Sequence, residues 1–184
     1  MQVKTTALDG VLIFTPKCFA DERGFFRELY HKDRYEAAGG LPPFVQDNHS
    51  RSARGVLRGL HFQEPMAQGK LVQVVRGGIF DVAVDIRWQS ADFGRWVGVE
   101  LTQENSRQLW IPPGFAHGFL SLADDTDVIY KCSEYYAPHH ENTLLWNDPD
   151  VAIAWPMLDQ GPFLSPKDAA GQTLNQISAR SGAG

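Results

Sequence analysis

Cysteine is nearly missing from this chain: 184 residues carry two. Cys18 and Cys132 make no Cys-x-x-Cys pair and cannot build a disulfide framework, so a reducing compartment is the default reading. Basic excess is missing too. Seventeen Lys and Arg face 22 Asp and Glu, a net charge of -5 with pI ≈ 5.6. No global field recruits nucleic acid or an anionic membrane, and an anionic ligand must instead meet locally clustered arginines. The longest uncharged apolar runs fall far short of a membrane span. Met1-Gln2-Val3-Lys4 lacks the apolar core of a secretory signal, so the expected location is the cytoplasm. No internal repeat is found. Helix signals are few: Lys32–Ala38 is one short candidate. Ser165-Pro166-Lys167-Asp168 is another, with a cap, a first-turn proline and a third-position acid before Ala169-Ala170. With 43% hydrophobic residues, the length suits one domain, taken as residues 1–177. The small, polar stretch Ser178 to Gly184 is expected to be a frayed tail.

What the chain does have is alternation of apolar and polar residues between turn signals, the period of a strand. In Ile79–Ile86, Phe80, Val82, Val84 and Ile86 share one face and Asp81, Ala83 and Asp85 the other, after a Gly77-Gly78 turn. Similar strands read at Val56–Gln63, Leu71–Val75, Trp96–Leu101, Arg107–Ile111, His117–Leu122 and Val128–Tyr135, each bounded by Gly, Pro, Asp or Asn. Many short strands with few helices predict an all-β sandwich or barrel.

Three groups carry residues suited to chemistry. In Gln46-Asp47-Asn48-His49-Ser50-Arg51, followed by Arg54 to Gln63, polar residues crowd a strand. Arginines here suit a diphosphate through forked, charge-assisted hydrogen bonds, and a neutral histidine suits proton removal near neutral pH. Strict alternation places Arg58 and His61 on opposite faces, so a shared ligand requires a bulge or twist at Gly59 or the approach of one of them from the strand end. In Trp110-Ile111-Pro112-Pro113-Gly114-Phe115-Ala116-His117-Gly118-Phe119, a Pro-Gly turn leads His117 into an apolar strand near a barrel mouth. In Val128 to Tyr136, Val128, Tyr130 and Cys132 share a face. A buried phenol needs a partner and, with an ordinary pKa of about 10, stays protonated at pH 7 as a proton donor.

These residues resemble the dTDP-4-dehydrorhamnose 3,5-epimerase family. The match runs from Asp21-Glu22-Arg23-Gly24-Phe25-Phe26 through Arg58-Gly59-Leu60-His61-Phe62-Gln63, Gln68-Gly69-Lys70-Leu71, Ile111-Pro112-Pro113-Gly114-Phe115-Ala116-His117-Gly118 and Leu145-Trp146-Asn147-Asp148 to Leu164–Ala170. The resemblance implies a cupin-type (jelly-roll) β-barrel with a few short helices, and a homodimer in which strands cross between subunits. It implies epimerisation at C3 and C5 of a dTDP-linked 4-keto-6-deoxy sugar, with no cofactor and no metal. By the same resemblance His61 is the base, Asp168 the carboxylate that orients it, Tyr130 the acid on the opposite sugar face, and Lys70 a donor to the C4 oxygen. Arg23, Glu28, Gln46, Asn48, Arg58, His117, Glu141 and Lys167 hold the nucleotide or sugar. Read from the residues alone, Asp168 is equally the acid of a capping box headed by Ser165, and both roles are compatible.

Rival readings stand beside this one. Related barrels bind a transition metal through a His-x-His pair, but Gln63 occupies the second histidine's place, leaving His61 and His117 with at best Glu64 for a metal-dependent dioxygenase. A non-catalytic sugar-nucleotide binding module would keep Arg23 and Arg58 without needing His61, Asp168 and Tyr130 together. Relatives that invert a single carbon would share the reacting residues.

Overall fold

The computed structural model describes residues 1–157 and 159–181, apart from the side chains of Arg180 and Ser181. Its elements in chain order are β1 (Gln2–Thr5), β2 (Leu12–Thr15), β3 (Cys18–Asp21), β4 (Gly24–Arg27), α1 (Lys32–Gly39), β5 (Gln46–Ser52), β6 (Leu57–Gln63), β7 (Lys70–Arg76) and β8 (Gly78–Asp85). There follow β9 (Trp96–Thr102), β10 (Gln108–Ile111), β11 (Phe115–Ser121), β12 (Thr126–Cys132), β13 (Glu141–Thr143), α2 (Pro166–Ala169) and α3 (Leu174–Ser181). One antiparallel sheet runs β1-β2-β10-β7-β12-β5 and a second runs β13-β6-β11-β8-β9, with β3 and β4 as a separate hairpin.

The two sheets face each other across a shared core, the cupin-type barrel. Val72 and Val74 of β7, Leu109 and Ile111 of β10 and Val128 of β12 meet Ile79 and Ala83 of β8, Val99 and Leu101 of β9 and Phe119 of β11. Each strand contributes alternate residues, as a pleated strand must. The strands were expected to be apolar on one face only, but both faces are covered. Val82 and Val84 point away from the barrel interior onto a second cluster with Val151, Leu174 and Ile177, so the C-terminal segment wraps the outside of the smaller sheet. Tyr35 of α1 packs with Phe14, Leu71 and Trp110 on the outside of the larger one.

The stretch expected to be frayed from Ser178 differs in part. It continues α3 to Ser181, because Leu174 and Ile177 bury the helix against that second cluster. Residues 182–184 lie outside the described residues. Among the strands that escape alternation reading, β3, β4 and β13 do so for physical reasons. The β3–β4 hairpin leaves Phe19, Phe25 and Phe26 exposed and has no buried face, and β13 is three residues long.

Candidate active site

The site begins with a defect in β6. Along the β6–β11 ladder, Arg58 stands opposite Phe119 and His61 opposite His117, so Gly59 and Leu60 face Gly118 alone. This is a bulge. Gly59 has φ +116°, and a Cβ there would lie 2.5 Å from the Gly118 Cα and 2.6 Å from the His117 carbonyl oxygen. Only glycine accepts that backbone and that approach. The extra residue breaks the two-residue period, and Arg58 and His61 line the same cavity of about 450 Å³.

His61 is set by a carboxylate from the far end of the chain. Its Nε2 lies 2.6 Å from Oδ1 of Asp168, which is buried in α2. A carboxylate only accepts, so Nε2 carries the proton and the Nδ1 lone pair remains for base chemistry. Burial pushes the Asp168 carboxyl up, but hydrogen bonds from His61 and Ser165 outweigh it and hold the group below the ordinary carboxylate value. Ser165 also accepts the Asp168 backbone N–H at 3.1 Å as the cap of α2. Ser165 thus caps α2, but the Asp168 carboxylate meets the Ser165 hydroxyl and His61 rather than the Ser165 backbone N–H that a capping box would use.

Beside this pair, β7, β11 and β12 deliver Lys70, His117 and Tyr130 to the same cavity. Burial pushes the Lys70 amine below its ordinary value, with only partial relief from nearby negative groups. Burial likewise lowers the His117 imidazole despite an Asp81 carboxylate 2.7 Å from its Nε2. His117 thus sits well inside the barrel rather than at its mouth, held as a neutral ring. Burial pushes the Tyr130 phenol up, so it is protonated at neutral pH. Tyr130 shares its inward face with Val128 and Cys132, both fully covered, as the alternation requires.

The rim is polar. Gln46 donates to Asn48 at 3.0 Å on β5, and Arg58 donates to the Ser52 hydroxyl at 3.0 Å and the Arg51 carbonyl at 3.2 Å. Glu141 receives Lys167 at 2.6 Å and the Tyr136 hydroxyl at 2.8 Å. Burial raises the Glu141 carboxyl, but these two hydrogen bonds bring it below its ordinary value. Gln46, Asn48, Arg58, Glu141 and Lys167 all line the cavity with His61.

Two expected residues are not brought there. Arg23 is held by Asp21 on the exposed β3–β4 hairpin, and Glu28 is paired with Arg34 at 2.9 Å. Neither borders the cavity. Sequence reading missed Tyr136, whose signal was the exposed Tyr135-Tyr136 pair. It also missed Asp81, an acid inside an apolar strand and fully buried.

A metal finds few ligands. Among the described residues no three His, Cys, Asp or Glu converge to hold an ion. The Gln63 amide is used by the backbone: it donates to the Met66 and Tyr135 carbonyls and accepts from the Ala137 N–H. Among the described residues no helix is long and apolar enough to cross a membrane.

Comparison with known proteins gives the family. The sequence profile described as dTDP-4-dehydrorhamnose 3,5-epimerase matches residues 5–176. The chain is 53% identical to the Pseudomonas aeruginosa dTDP-4-dehydrorhamnose 3,5-epimerase over 95% of its length and 96% of the relative's. It is 55% identical to the Shigella flexneri protein of the same name, covering 94% of this chain and 95% of that one. A solved dTDP-6-deoxy-D-glucose-3,5-epimerase from Legionella pneumophila, in complex with dTDP-4-keto-L-rhamnose, is similar at 53% identity. The TM-score is 0.94, with 97% of this chain and 95% of that chain covered. With a match this long, carried on the barrel and the cavity just described, the chain belongs to the dTDP-4-dehydrorhamnose 3,5-epimerase family of isomerases.

Proposed function

We propose that the cavity epimerises C3 and C5 of dTDP-4-dehydro-6-deoxy-D-glucose, giving dTDP-4-dehydro-L-rhamnose. The observation that carries this is a base and an acid in one cavity: the His61–Asp168 pair and the half-buried Tyr130 phenol. Both reacting carbons adjoin the C4 ketone. His61 Nδ1 takes the proton from one of them, and the C–H electrons move into the ring to leave an enolate with its charge on the C4 oxygen. Lys70 supplies the N–H donor for that oxygen, while the one N–H of the neutral His117 ring is held by Asp81. Tyr130 delivers its hydroxyl proton to the opposite face of the carbon, the enolate electrons reform the C–H bond, and the centre is inverted. His61 then releases its proton to solvent and Tyr130 recovers one, and the cycle repeats at the second carbon. No metal or organic cofactor takes part in this scheme.

Arg58, Gln46, Asn48, Glu141 and Lys167 form the polar rim that would hold the nucleotide diphosphate and sugar hydroxyls. Arg23 and Glu28 enter this reading through a second copy of the chain. The β3–β4 hairpin exposes three phenylalanines and stands apart from both sheets. Crossing into a homodimer partner would cover those rings and carry both residues towards the partner's cavity.

The test is proton NMR of the sugar during reaction in deuterium oxide, with wild type and Tyr130→Phe. Wild type should invert both centres and take deuterium at each. The variant should still wash deuterium into a carbon beside the ketone, because His61 can remove a proton and return a deuteron to the same face, while inversion slows sharply. Deuterium at one carbon alone in wild type would mean a single-centre epimerase. A folded Tyr130→Phe protein that inverts both centres at the wild-type rate would remove Tyr130 from the mechanism.

A further inference from the structure

The Asp168 carboxylate is nearly buried, and a buried charge needs each oxygen satisfied. One oxygen, Oδ1, meets His61 at 2.6 Å and the Gly59 N–H at 3.4 Å. The other, Oδ2, receives the Ser165 hydroxyl at 2.7 Å. Ser165 is therefore engaged in two ways. Its oxygen accepts the Asp168 N–H, which caps α2. With that lone pair taken, the hydroxyl proton is directed at Oδ2, since a carboxylate only accepts. The hydroxyl thus fixes the rotation of the carboxyl group about its Cβ–Cγ bond, and that rotation decides whether Oδ1 points at His61.

Resting on the function proposed above, we infer that Ser165 is a positioning residue for the epimerisation, acting through Asp168 on the orientation and tautomer of the His61 ring. The cap alone does not require this. An aspartate at the same place caps a helix as well as a serine does, but it has no proton to give and sets a second negative charge against Asp168. A threonine keeps both the acceptor and the donor, and Ser165 is exposed enough to admit a methyl group.

The experiment compares Ser165→Ala, Ser165→Asp and Ser165→Thr in the full chain, measuring kcat and KM, thermal melting, and the downfield imidazole N–H proton resonance of His61. The Ala variant should lose roughly tenfold in kcat with little change in KM, as expected when one hydrogen bond to a charged group is removed from the reacting apparatus rather than from substrate binding. The Asp variant, although it retains a cap for α2, should lose turnover, and Thr should restore turnover. In the free protein the His61 resonance should move or broaden in Ala and Asp and return in Thr. This arm needs no substrate, so it stands even if wild type proves inactive towards the proposed sugar, an outcome that would count against the function alone. Wild-type turnover in Ser165→Ala would overturn the inference, as would an unmoved resonance. So would Ser165→Asp matching wild type in both melting and turnover, since the cap would then be the whole role.

Discussion

Replacing Gly59 with alanine tests the bulge that places Arg58 and His61 in one cavity. Two costs follow from the geometry. At φ +116° the backbone lies where side chains are rarely tolerated, a strain of about 1–3 kcal/mol. The new methyl would also lie 2.5 Å from the Gly118 Cα and 2.6 Å from the His117 carbonyl oxygen. Both are backbone atoms that cannot swing aside, so relief must come from separating β6 and β11, a further ~1–3 kcal/mol for overpacking. The expected total is about 2–6 kcal/mol, a large part of the stability of an ordinary domain. The movement also has a direction. Pushing β6 away from β11 parts His61 from His117, its cross-strand neighbour, and draws the Gly59 N–H away from Asp168. Urea unfolding should therefore show the lower midpoint. Turnover measured well below that midpoint should still fall at least tenfold, because displacement of a catalytic base by about an ångström is costly on its own. An alanine variant within about 1 kcal/mol of wild type, turning over normally, would refute the argument that the glycine is required.

Other outcomes are equally definite. His61→Ala should lower turnover by at least about 100-fold with the fold intact by circular dichroism, the low end of what a positioned base contributes; near-normal turnover would exclude it as the base. Exhaustive chelation should leave activity unchanged, since Gln63 is committed to backbone partners; loss restored by a divalent ion would overturn the metal-free scheme. Burial holds His117 below the ordinary histidine value of 6.5, so below that pH the unfolded chain binds a proton the native protein resists. Stability should therefore decline as pH falls below 6.5 and recover above it, with a shallower slope in His117→Gln, read from urea midpoints across that window.

How far the sequence disclosed this arrangement depends on what each strand faces. Strands β7, β9 and β10 were readable because Val72 and Val74, Val99 and Leu101, and Leu109 and Ile111 mark the barrel interior at alternate positions. In β5 the same period is written in polar residues. Gln46, Asn48 and Ser50 point into the cavity while Asp47, His49 and Arg51 point outward, so hydrophobicity carries no signal there. The bulge at Gly59 was one of the ways the sequence offered for Arg58 and His61 to share a ligand, beside approach from the strand end, and it is the one the fold takes. The Asp168 partnership was not, since nothing local to α2 indicates a histidine 107 positions away. Arg23 and Glu28 show the reverse limit: the resemblance names them, while a single copy of the chain keeps them outside the cavity.

That long separation has a consequence for the order in which the protein becomes competent during synthesis. The strands of both sheets end at Thr143, so the barrel can close while α2 is still inside the ribosome. At that stage His61 faces a cavity that still lacks Ser165, Lys167 and Asp168, with either ring nitrogen free to carry the proton. Asp168 follows every strand, on a helix of one turn whose residues sit against β6, and its docking selects the tautomer. A nascent chain would therefore hold the barrel before it holds the partner that orients its base.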